Sequence, residues 1–269
     1  MKLTHKLCGA VLLAAVGVAV AVPGVTKAVD ASTRDGDMDI QFTRNTEDES
    51  DTTHVTITDS EGNLDTEIQS GDITRTVDSA IFGVQDVTPL KFGEHGVVTD
   101  GNDRVFWAKN YTEDKGVMAN NVLIKDNRTD VLNHMYTLTA EITTELTTQV
   151  PDGDKTVERK LQGATLDYLN IGRKTNVDEA LALPEDAIKN KNVQVVFGQA
   201  TTIVNNDGKV GEDVNPDRGQ GQTYIHFGKL NAAGTAAADQ SVKLTVGKDQ
   251  TIFQGNYAGV VTWVMTAAK

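Results

Sequence analysis

Cysteine is nearly absent: the single thiol, Cys8, lies close to the N-terminus, so the body of the chain carries neither disulfides nor thiol chemistry. Aromatic residues make up 5% of the sequence. Leu and Ala gather in few places while Thr, Val, Asp, Asn and Gly dominate, a composition that favours strands over helical bundles. Basic residues are in deficit, 25 against 38 acids, for a net charge of −13. A surface of that sign repels nucleic acid and anionic lipid, so neither a nucleic-acid partner nor direct membrane insertion is expected. Serine is scarce, and no Gly-x-Ser-x-Gly elbow, P-loop or dinucleotide glycine pattern occurs. Beyond the start of the chain, His54, His95, His134 and His226 stand isolated, without the spacing of a zinc site. No catalytic residue, metal or cofactor is therefore assigned. A glycosidase carboxylate pair is defined by separation in space rather than in sequence, and a secreted glycan hydrolase stays open as an alternative.

What is present begins with a secretory signal: Lys2 and Lys6 precede an apolar run over residues 7–22, which Pro23 and Gly24 close. Cleavage after Ala28 is preferred to cleavage after Ala31. The run is too short for a transmembrane helix. Cys8 follows His5, Lys6 and Leu7, with the apolar stretch behind it, which is the wrong order for lipoprotein processing. Loss of Lys2, Lys6 and Lys27 makes the exported chain more acidic still. With no second apolar span and no C-terminal sorting signal, retention at a cell surface has to be non-covalent. The expected organisation is a signal peptide (1–28), an acidic Thr-rich region (29–78) and one large domain (79–269).

The acidic region contains Asp35-Gly-Asp37-Met-Asp39 and Glu47-Asp-Glu-Ser-Asp51, with short strand-like runs at 38–43 and 54–58. Its low hydrophobicity predicts a loosely held leader. Asp35-Gly-Asp37-Met-Asp39 and Asn205-Asn-Asp-Gly208 resemble pieces of calcium loops, although neither fits the full pattern and turn chemistry explains them better. From Ser79 onward, about ten short alternating runs separated by turn residues predict strands, the clearest at 136–146 and others at 165–171 and 251–253. The one helical candidate, 176–191, has Asn176 as its cap and is split by Pro184. Without repeated strand-helix alternation, the fold class is all-β: a β-sandwich or Greek-key-like domain with one or two short helices in a long insertion.

The chain closes on the strand-like run Tyr257-Ala-Gly-Val-Val-Thr-Trp-Val-Met265. Alternation puts Tyr257, Val261, Trp263 and Met265 on one face and Ala258, Val260, Thr262 and Val264 on the other. Both faces are mostly apolar, which predicts a strand inside a sheet and covered on both sides. The two tryptophans, Trp107 and Trp263, are either core residues or rings that stack on sugars. Trp263 is assigned to the core because Val261 and Met265 share its face.

The same run resembles the distal motif of the WxL-domain family, Tyr-xxx-Leu-Thr-Trp-x-Leu: Tyr257, Thr262 and Trp263 are kept, while Val261 and Met265 replace the leucines. Pro89-Leu-Lys-Phe-Gly93 is similar to the segment opening these domains, and Val122-Leu-Ile-Lys-Asp-Asn-Arg128 to their Val-x-Val-x-Asp-x-Arg strand and turn. The first Trp-x-Leu of the family corresponds to Tyr136-Thr137-Leu138, with Tyr in place of Trp. The resemblance covers residue 80 to the C-terminus. It implies a secreted, cell-surface protein of Gram-positive bacteria that binds the wall, peptidoglycan in particular, without covalent attachment. It also implies membrane-anchored or wall-anchored partner proteins. The alternative from another class is a structural or adhesive subunit whose C-terminal strand pairs with a partner protein. The site residues carried by the resemblance are Tyr257, Thr262, Trp263, Met265, Tyr136 and Leu138.

Overall fold

Burial alternates along the closing strand, Asn256–Ala267. Tyr257, Gly259, Val261, Trp263 and Met265 point inward, and Ala258, Val260, Thr262, Val264 and Thr266 outward. A computed structural model describes residues 31–41, 54–58, 61–77, 80–97, 101–129 and 131–268. The signal segment and Cys8 lie outside these residues. The closing strand occupies the interior of the largest sheet, antiparallel to Ala31–Gln41 on one side and to Tyr136–Asp152 on the other. Its second face is half exposed rather than covered: the valines there alternate with threonines, and the outward side of the sheet is polar.

The other members of this sheet follow from the same pairing rule. Leu90–Glu94 lies parallel to Ala31–Gln41, while Lys155–Lys160 and Thr201–Asn206 pair with different halves of the 17-residue strand Tyr136–Asp152. Two four-stranded sheets form the opposing layer. One runs Ile171–Thr175, Gly221–Phe227, Asn121–Asp126, Phe82–Val87; the other runs Val193–Val195, Thr165–Tyr168, Val242–Val246, Arg104–Trp107. The inner faces of all three sheets feed one apolar cluster. The architecture is an all-β sandwich, as the composition and alternation predict.

Three rings tie the layers together, each from a different sheet. Trp263 meets Tyr168 edge-on at 5.4 Å and stacks with Phe227 at 6.2 Å, and Tyr168 and Phe227 are 4.5 Å apart. Beside the Trp263 ring the opening strand carries a residue without a side chain, and the atom that would crowd one belongs to Val87. On Ala31–Gln41, a Cβ at Gly36 would come within 2.8 Å of Val87 and 3.4 Å of the Trp263 Nε1.

Several expectations are corrected. The acidic region is not a loose leader where it is described: Ala31–Gln41 is an interior strand, and Ile57, Ile68 and Ile73 form a second apolar cluster with Met118, Leu123 and Tyr224. That cluster covers the outer side of the Asn121–Asp126 sheet, so this sheet is buried on both faces. The helix expected over 176–191 is a series of turns ending in a single 3-10 turn, Glu185–Ala187. Asn176 does not cap it; its side chain accepts from the Gln222 N–H at 3.0 Å, and the Asp178 carboxylate holds the Ala180 N–H at 2.8 Å in a tight turn. The strand expected over 165–171 is two strands in different sheets, broken where Asn170 takes a positive φ of 52°. No strand forms at 251–253.

Because Trp263 is 1% exposed at the junction of three sheets, Trp263→Ala should lower stability by about 3–5 kcal/mol. Among the described residues its Nε1 lacks a hydrogen-bond partner. Trp263→Phe, which removes that buried donor along with part of the ring, should therefore cost less, on the order of 1–2 kcal/mol. Denaturant melts of the two variants check the order; equal losses would contradict this placement.

Candidate functional site

The six residues singled out by the terminal and central motifs lie on two neighbouring strands, and five of them point into the protein. Tyr136, Leu138, Tyr257, Trp263 and Met265 are all at most 1% exposed. Leu138 is directly opposite Met265, and Ala140 opposite Trp263. The Tyr257 hydroxyl donates to the Phe253 carbonyl at 3.2 Å and accepts from the Phe253 N–H at 3.0 Å, closing the loop that enters the strand. Thr262 alone faces outward. Its hydroxyl donates to the Asp35 carboxylate at 2.5 Å and shares a hydrogen bond with Thr143 at 2.8 Å, linking three strands across the outer surface. Asp35, Asp37 and Asp39 are exposed on that surface, at alternate positions of one strand rather than in a calcium loop.

The Asp126-Asn-Arg128 turn supplies a second internal device. Arg128 donates from Nε and one terminal nitrogen to the two Asp126 oxygens at 2.9 and 2.7 Å, with both side chains buried. His134 Nδ1 lies 3.1 Å from the same carboxylate. The guanidinium sits 4.1 Å over the Phe82 ring, which meets Tyr136 edge-on at 6.3 Å. Burial first, and then the negative charge of Asp126, pushes the Tyr136 phenol up, so it is neutral at physiological pH. The central motif and the Tyr136 position are thus one packed unit. Sequence reasoning missed Phe82, His134, Tyr168, Phe227 and Gly36, because nothing local marks residues that meet only through the fold.

A cleft of about 600 Å³ opens beside Ile171–Thr175. Its cations are engaged: Arg173 with Glu179 at 2.5 Å, Lys191 with Glu185 at 3.0 Å, Lys174 with Asp65 at 2.8 Å, and Lys229 with Glu67 at 2.8 Å. His226 lies against Gly172, where a Cβ would come within 2.5 Å of the ring. Its Nδ1 is 2.9 Å from the Gly228 carbonyl, and burial pulls its pKa down to about 4. Among the described residues, no group of three or more His, Cys, Asp or Glu side chains is placed to hold a metal.

A different surface carries exposed chemistry. Along 105–109 exposure alternates, with Val105, Trp107 and Lys109 outward and Phe106 and Ala108 inward. Trp107, on an edge strand, is 37% exposed. The register places Trp107, Lys243, Asp167 and Gln194 in one row across four strands. Lys243 pairs with Asp167 at 3.0 Å, and the Gln194 amide donates to Asp167 at 2.9 Å.

The family motifs are spent largely on the core of this all-β domain, and polar sheet faces are left outside. A family model described as WxL domain, surface cell wall-binding, matches residues 29–268, and the chain belongs to that family. The match takes in the acidic region, in keeping with the interior position of Ala31–Gln41. No curated protein and no solved structure matches the chain.

Two outcomes test these placements. Asp126→Asn or Arg128→Ala strands a buried partner and should cost about 3–5 kcal/mol, read as a lowered denaturant midpoint. His226 is held neutral in the folded state with its pKa at about 4, below the ordinary 6.5. The unfolded chain therefore takes up the proton first, and stability should fall as pH drops from about 6.5 to 4, by about 3 kcal/mol in all. His226→Gln should flatten that part of the stability profile relative to wild type; an unchanged slope would contradict a neutral His226.

Proposed function

We propose that this protein is exported and binds the peptidoglycan of the cell wall non-covalently, with residues 29–268 acting as one binding unit. The observation that carries the reading is the family match over that range, to a domain described as surface cell wall-binding. The burial of Tyr136, Leu138, Tyr257, Trp263 and Met265 supports a scaffolding role for the signature, with ligand contact made by residues outside it. Among the described residues, no helix is long and apolar enough to cross a membrane.

Assembly with membrane-anchored or wall-anchored proteins belongs to the same reading, and the fold narrows how it would occur. Strand addition by the C-terminal strand meets an obstacle, since both of its edges are already hydrogen-bonded. A partner would dock on a sheet face instead, and the outward Thr33, Asp35, Asp37 and Asp39 favour a basic one.

Co-sedimentation of the purified protein with wall material stripped of protein and teichoic acid tests the reading. Retention in the pellet is expected. A folded protein that stays in the supernatant while still capturing a surface partner would replace wall binding with the subunit alternative.

A further inference from the structure

We infer that the outward face of the Val193–Val195, Thr165–Tyr168, Val242–Val246, Arg104–Trp107 sheet is a glycan-binding surface, taking an uncharged run of linked sugars with Trp107 as its stacking residue. The inference rests on the wall-binding reading and adds to it a place and a ligand class.

Trp263 is sealed in the core, whereas Trp107 is partly exposed on an edge strand next to the exposed Val105. An indole face meets the C–H face of a pyranose ring well, and its large rigid area costs little entropy to order. Trp107 also heads a row of polar side chains. Neighbouring strands are about 4.8 Å apart, so Trp107, Lys243, Asp167 and Gln194 span roughly 14 Å, long enough for several linked rings. Beside them Thr245 and Thr165 form a second polar row, opposite Val105. Ammonium, carboxylate, amide and hydroxyl groups offer both donors and acceptors to sugar hydroxyls and acetamido groups.

Charge selects between wall polymers. The Lys243–Asp167 pair cancels within the row, and the chain as a whole is at −13. A polyanion would find little cationic charge here beyond Lys109, outward just after Trp107 in the same segment, and would be repelled by the acidic surface as a whole. An uncharged saccharide meets neither problem. The cleft beside Ile171–Thr175 competes poorly, because no Phe, Tyr or Trp side chain lines it and it offers no such ring to stack on a sugar.

The test compares wild type, Trp107→Ala and Gln194→Ala on two probes: sacculi stripped of protein and teichoic acid, and peptide-free, uncharged glycan strands of β-1,4-linked N-acetylglucosamine. Trp107→Ala should bind both probes at least about tenfold more weakly, and Gln194→Ala measurably more weakly, with melting temperatures close to wild type. Wild-type tryptophan emission should change on adding the glycan strands, since Trp107 is the exposed one of the two indoles. Folded variants that bind both probes like wild type would overturn the inference and leave wall binding standing. So would a wild type that binds sacculi but not peptide-free strands, which would point to the stem peptides. A wild type that binds neither probe would overturn the wall-binding reading itself. Should Trp107→Ala prove unstable, Gln194→Ala and Lys243→Gln decide the matter.

Discussion

The contact among Trp263, Tyr168 and Phe227 is the constraint on which the rest of the sandwich depends. Each ring belongs to a different sheet, so the three sheets share one packing problem rather than three. Beside the indole, the close approach of Val87 favours glycine at position 36, which helps fix the register of the opening strand against the closing one. The register then determines which residues of the opening strand face water. It is why Asp35, Asp37 and Asp39 share the outer surface with Thr262 while Met38 enters the core.

A second layer of dependence runs through the buried pair of Asp126 and Arg128. An ion pair in the interior is weak evidence of net stability but costly to break, and here its aromatic contacts reach Phe82 and Tyr136. The sheet that carries Asp126 is covered on both sides, by the main cluster and by the isoleucines of the acidic region. That explains why Val122-Leu-Ile reads as a continuous apolar run rather than an alternating one. Family signature and core are thus largely the same residues, and recognition is left to faces that the signature does not mark.

Much of this was legible in the sequence, and the failures share a cause. The closing strand, the half-buried strand at 136–146 and most of the short strands follow from alternation. The opening strand was misread because, among its residues with described side-chain burial, Gly36 and Met38 are the buried ones, so the pattern carried little hydrophobic weight; its acids at alternate positions were the overlooked sign of one wet face. Lys155–Lys160 was missed for the same reason, being polar and mostly exposed on both faces. Residues 176–191 looked helical from caps and Pro184, but side chains at Asn176 and Asp178 bind backbone N–H groups and hold turns. Trp107 was undecidable locally: Val105 and Trp107 are as apolar as Phe106 and Ala108, and only the packing of Phe106 and Ala108 into the core cluster distinguishes the two sides.

The pairing of Ala31–Gln41 with Asn256–Ala267 joins segments from opposite ends of the described chain. Synthesis from the N-terminus leaves the opening strand unpaired on this side until the closing strand has been made. The interior of the largest sheet is completed only then, by a pairing whose partners Asp35 and Thr262 are 227 positions apart, with the loop-closure cost that such a separation carries. Connectivity thereby holds back the finished sandwich until the closing strand is available.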